Sequence, residues 1–127
     1  MEAGITAMTP GELKQLVLRT YNAVNQQISG VGVRQQRVEL HGEHLLVIAE
    51  HQRIPALAAL DGTRRGLTRD VDVAIVDRYK DLLKKELEPL LGVGIRTILK
   101  DYDPHTQLAC TLVVLESDPL RAEMSID

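Results

Sequence analysis

An α+β domain with a four-stranded, largely antiparallel sheet is predicted by three features of this sequence. Two long stretches carry apolar residues at helical spacing, two others alternate and fold back at turn residues, and their order is helix–hairpin–short helix–long helix–hairpin. The first helix begins at Thr9-Pro10-Gly11-Glu12, a capping box with proline at the first helical position. Leu13, Leu16, Val17, Tyr21, Val24 and Ile28 form its apolar stripe, and Ser29-Gly30-Val31-Gly32 ends it. Val38 and Leu40 then alternate with Arg37 and Glu39, His41-Gly42 supplies a turn, and Leu45 to Ala49 return. Ile54-Pro55 breaks the strand before a short helix over 56–60, which Asp61-Gly62 stops.

The second long helix is read as capped by Thr68, with Asp70 and Asp72 in its first turn. Val71, Ile75, Tyr79, Leu82, Leu83, Leu87 and Leu90 share one side, and Pro89 and Gly92 end it. A hairpin from Ile95 to Tyr102 and from Leu108 to Leu115, turning at Asp103-Pro104-His105-Thr106, closes the domain. Its last strand is apolar at both odd and even positions, which predicts a central strand covered on both sides. Two long helices are too few to cover both sheet faces, so a second copy of the chain is expected to cover the remainder. Residues 1–116 are read as one domain and residues 117–127 as an acidic, poorly ordered tail.

Composition narrows the function classes. The 127 residues have a formal net charge of −3, no Phe or Trp, and three tyrosines, Tyr21, Tyr79 and Tyr102. Glu116, Asp118, Glu123 and Asp127 meet only Arg121 in the last twelve positions, which leaves 14 acids (18 less 4) and 14 bases (15 less 1) in residues 1–115. A neutral body with few stacking side chains argues against nucleic-acid partners. No apolar run approaches the ~20 residues of a membrane helix, so direct membrane insertion is not expected. The start, Met1-Glu2-Ala3-Gly4, does not read as a secretory signal. A single cysteine, Cys110, fits a cytoplasmic location.

Arg64, Arg65 and Arg69 surround the start of the long helix near Thr68. Free amides flanked by guanidinium groups make this an anion-binding candidate, the alternative being solvated arginines or pairs with Asp70 and Asp72. His41, His44 and His51 fall close together but lack a second tight ligand pair, so they are read as hairpin histidines and no metal or other cofactor is assigned. Gly30-Val31-Gly32 follows a helix and precedes a strand, the reverse of a phosphate-cradling loop. Asp101, Asp103 and His105 are accounted for by their turn, and Cys110 is read as a protonated, inert thiol within an apolar strand. No catalytic residues are assigned, and the protein is not expected to be an enzyme.

Several short motifs between Ile28 and Glu116 can be grouped. They are Gly30-x-Gly32 before the first strand, Arg78 in the charged long helix, Gly92-x-x-Ile95, Asp101-x-Asp103, and the ending Thr111-Leu112-Val113-Val114-Leu115-Glu116. In these the chain resembles the MpsC-like family of small bacterial proteins, formerly classed as a domain of unknown function. The family takes its name from a sodium-translocating, membrane-potential-generating system whose membrane partners are linked to inorganic-carbon uptake. What the resemblance implies is an accessory subunit rather than a transporter, with no catalytic residues to carry over. The expected function is a non-catalytic, cytoplasmic, homodimeric accessory or regulatory protein that acts through protein–protein contacts at a membrane transport complex. The alternative is an anion sensor built on Arg64, Arg65, Thr68 and Arg69.

Overall fold

The computed structural model describes residues 8–120. Thr9 caps α1 (Pro10–Ile28): its hydroxyl accepts from the Glu12 N–H while the Glu12 carboxylate accepts from the Thr9 N–H. These reciprocal bonds satisfy two amides that a helix start leaves free. Leu13, Val17, Tyr21 and Val24 are buried along one stripe, with Leu16 and Ile28 packed at its edge. The helix ends at Ser29, and Gly30 reverses the chain at φ 70°.

The first hairpin pairs β1 (Val33–His41) with β2 (His44–His51), turning at Gly42 with φ 59°. A bulge between Arg34 and Arg37 interrupts β1 and holds Gln35 in the left-handed region at φ 52°. Then come α2 (Pro55–Asp61), α3 (Arg65–Leu91), β3 (Ile95–Asp103) and β4 (Leu108–Leu115). The sheet order is β1-β2-β4-β3 with every neighbouring pair antiparallel. The fold is therefore α+β, with three helices and one four-stranded antiparallel sheet, in the element order predicted.

Both long helices lie on the same face of the sheet. Leu45, Val47 and Ala49 of β2, Ala109, Thr111, Val113 and Leu115 of β4, and Ile95 and Ile98 of β3 are buried beneath them. The alternate residues point the other way and stay partly or largely exposed. Strand β4 is central, as expected, but it is covered on one face only. Within one copy of the chain this follows from α1 and α3 stacking side by side rather than sandwiching the sheet.

Three local expectations are corrected. The long helix starts at Arg65 with Arg64 as its N-cap, so Thr68 lies inside the first turn. Its buried hydroxyl bonds back to the Arg65 carbonyl instead of capping an amide, and Asp70 and Asp72 fall beyond that turn. Pro89 sits inside α3, where one ladder bond is lost in the final turn, and Gly92 at φ 76° is the stop. Leu90 is 51% exposed, whereas Leu91 is buried in its place. Beyond β4, Pro119 is buried and Leu120 packs against the core. Residues 1–7 and 121–127, where the start and most of the acidic tail fall, lie outside the described residues.

The two neighbouring leucines of α3 test this packing. Leu87 is fully buried, so Leu87→Ala is expected to cost about 3 kcal/mol in urea unfolding, while Leu90→Ala changes stability by less than ~0.5 kcal/mol.

Candidate functional site

Period-two alternation places Ile98, Lys100 and Tyr102 of β3 on the helix-covered face, and the same alternation places His51 at the inward end of β2. Tyr21 of α1 and Tyr79 of α3 descend onto them. All three tyrosines thus converge on one imidazole: ring centroids lie 5.5 Å (Tyr21), 5.6 Å (Tyr79) and 6.0 Å (Tyr102) from His51, each edge to face.

Donor arithmetic fixes the direction of the hydrogen bonds. Lys100 Nζ has no lone pair to offer, so it donates to the Tyr21 hydroxyl at 2.8 Å and to Thr111 Oγ1 at 3.0 Å. The Tyr21 O–H is then directed at His51 Nε2, 2.5 Å away, which leaves the imidazole hydrogen on Nδ1. That N–H faces the Tyr79 oxygen at 3.5 Å, Tyr79 donates to Asn25 Oδ1, and Asn25 Nδ2 donates to the Val31 carbonyl at 2.8 Å. Tyr102 donates to the His51 carbonyl at 3.0 Å. The chain of bonds crosses β3, α1, β2 and α3 and ends in the loop after α1.

Burial sets the charge states. Desolvation, reinforced by the Lys100 charge, lowers the His51 pKa to about 4, so the ring is neutral near pH 7. Burial likewise lowers the Lys100 pKa to about 8 and raises that of Tyr79 to about 12, and it raises the Tyr21 phenol further. The Lys100 ammonium lies 4.5 Å from the Tyr79 ring centroid and 5.0 Å from that of Tyr21, so aromatic faces and hydroxyls surround it. Among the described residues no carboxylate lies within ion-pair distance of it.

Arg53, just past β2, solves the same problem differently. Its guanidinium donates to both oxygens of Asp61 at 2.8 and 2.9 Å and to both of Asp72 at 2.7 and 3.0 Å. With its side chain only 7% exposed, it ties the end of α2 to α3. The Asp61 bonds are the largest cause of its raised pKa, and in return Arg53 holds the Asp61 carboxyl below the usual carboxylate range.

A cavity of about 40 Å³ lies between these two cations, walled by Ile54, Ile75, Val76, Tyr79, Tyr102 and Ala109. It shares Asp72, Val76, Lys100 and Tyr102 with a wider cleft of about 880 Å³ between α3 and the β3–β4 turn.

The structure brings some of the residues singled out from sequence together and separates others. Arg65, Thr68 and Arg69 line the wide cleft together with Asp61, Asp72 and Asp77, whereas Arg64 is the exposed N-cap of α3. Asp72 is taken by Arg53 rather than by the helix-start arginines. His41 and His44 face away from the helices at the hairpin turn, and His51 points inward at the far end, so the three histidines share no site. Cys110 is exposed on the uncovered sheet face, which corrects its reading as a thiol sealed in an apolar strand. Asp103 accepts from the His105 N–H and the Thr106 hydroxyl, the turn role expected of it. The polar cluster itself was missed by sequence reading. Its signal was Lys100 and His51, each at an inward position of an otherwise apolar alternation.

The chain matches no protein-family model, no curated protein and no solved structure.

Two measurements probe this polar core. Arg53→Met leaves two facing carboxylates without their cation, and is expected to cost about 3 kcal/mol and lower Tm by roughly 10 °C. Between pH 6.5 and about 4 the unfolded chain binds a proton that folded His51 refuses, so stability falls as pH drops through that window. From pH 6.5 to 5 the wild type should lose up to about 2 kcal/mol more than His51→Gln in urea titrations.

Proposed function

We propose that the protein is a non-catalytic homodimer that acts through protein–protein contacts, two copies pairing through the uncovered face of the sheet. The observation that carries this reading is the chemistry of that face. Leu46, Ile48, Leu112 and Val114 are half-buried at its centre, and Leu99 and Leu108 are 56% and 52% exposed. A contiguous apolar surface of this kind, rimmed by charge, is the usual mark of an association site.

The strand register supports a second copy as the occupant. Across the face, Arg37, Ile48, Cys110 and Asp101 form one row and Glu39, Leu46, Leu112 and Leu99 the next. A third row runs Arg34, Glu50, Leu108 and Asp103. A twofold axis parallel to the strands, between β2 and β4, sets β1 of one protomer over β3 of its partner. Each row then meets itself reversed: Arg37 faces Asp101, Arg34 faces Asp103, and Leu46 faces Leu112. Aligned packing of two sheets needs only the modest rotation that their twist supplies. Arginines of β1 meet aspartates of β3 and Leu46 and Ile48 meet Leu112 and Cys110, while Glu39 and Glu50 fall opposite Leu99 and Leu108.

The resemblance to the MpsC-like family extends this reading to an accessory or regulatory role at a membrane ion or inorganic-carbon transport complex. The free, exposed Cys110 thiol supports a reducing, cytoplasmic setting.

Sedimentation velocity tests the pairing. The wild type is expected to sediment as a dimer and Leu112→Glu as a folded monomer. Arg37→Asp and Asp101→Arg singly should each weaken association about tenfold or more, and the double swap should recover most of it. A wild type that stays monomeric at high micromolar concentration would overturn the proposal.

A further inference from the structure

We infer that the cavity at Lys100 is a binding site for a small monocarboxylate, whose carboxylate pairs with the Lys100 ammonium and whose short apolar tail lies against Ile75, Val76 and Ala109. The cavity lies on the helix-covered side of the sheet, and the residues that carry this inference, Lys100, Ile75, Val76 and Ala109, take no part in the proposed pairing.

Three features carry it. The first is an incomplete valence: an ammonium has three N–H donors, and Lys100 spends two of them, on Tyr21 and Thr111. The second is charge. Arg53 has two carboxylates, whereas Lys100 has hydroxyls and ring faces and, among the described residues, no anion within 4 Å. A partly desolvated cation without a counter-charge gains most from an anionic ligand. The third is space. The cavity of about 40 Å³ lies beside Lys100 and shares Asp72, Val76 and Tyr102 with the cleft, and at roughly 10–15 Å³ per water it holds about three waters or one small carboxylate.

The surroundings select the ligand class. The cavity walls are mainly apolar, which suits a methyl or ethyl tail and offers few further donors for a phosphate. The small volume of the cavity further favours a single short carboxylate over a polyanion.

The test uses the full chain with lysine side chains labelled with ¹⁵N, titrated with propionate, with inorganic phosphate and citrate in parallel. Propionate is expected to move the Lys100 Nζ signal saturably and to raise its pKa, because a bound anion and a bound proton favour each other. Tm should rise by about 4 °C at ten times Kd. Lys100→Met should lose the Tm rise; should that variant not fold, the wild-type Nζ titration decides alone. No saturable change in Nζ, or an equal Tm rise in folded Lys100→Met, would overturn the assignment. A phosphate response matching that of propionate would overturn its carboxylate class.

Discussion

The register between β2 and β4 is the constraint on which the rest of the molecule depends. Pairing Leu45 with Val113 and Val47 with Thr111 sends the odd-numbered residues of both strands toward α1 and α3. A slip of one residue would turn Leu46, Ile48, Leu112 and Val114 under the helices and push His51 and Thr111 into solvent. The bulge at Gln35 and the irregularity between Ile95 and Thr97 adjust the outer strands to this central pair. Two interfaces then come from one choice: a mixed core beneath the helices and an apolar surface on the other side.

Within the core, two cations are accommodated by opposite means. Arg53 is wholly enclosed by carboxylate oxygens, with four hydrogen bonds in a planar fork, and serves as a strut between α2 and α3. Lys100 receives no opposite charge and relies on two hydroxyls and two aromatic faces. The hydrogen-bond chain through Tyr21, His51, Tyr79 and Asn25 consumes the donors and acceptors of those residues on one another. It holds the rings that flank Lys100 in place, and a site preorganised in this way loses little on binding. Such a network is costly to leave partly satisfied, which gives the cavity beside Lys100 its chemical significance.

The uncovered sheet face follows from the economy of a small chain. Two helices of 19 and 27 residues lie side by side and cover one face, and α2 packs on α3 rather than beneath the sheet. Leu46, Ile48, Leu112 and Val114 on the remaining face are only half-buried in one protomer, and covering them would bring further stability. The charges at its edges, Arg34 and Arg37 on β1 against Asp101 and Asp103 on β3, would give the proposed pairing a direction.

Much of the fold was legible in the sequence because its signals are local. The Thr9–Glu12 box, the alternation in both hairpins and the glycines at 30, 42 and 92 each act within a few residues. Where local signals competed, the sequence misled: Thr68 looks like a cap but bonds backward, and Pro89 looks like a stop but is tolerated in a final turn. The candidate site was illegible for a different reason. Tyr21, His51, Tyr79 and Lys100 are separated by 21 to 79 positions, and only the stacking of helices on one sheet face brings them into hydrogen-bonding range. Local pattern fixed the elements, their order and the alternation that gives each strand two faces. Tertiary structure alone decided which face the helices cover, because packing both long helices against one side follows from long-range contacts that no local pattern encodes.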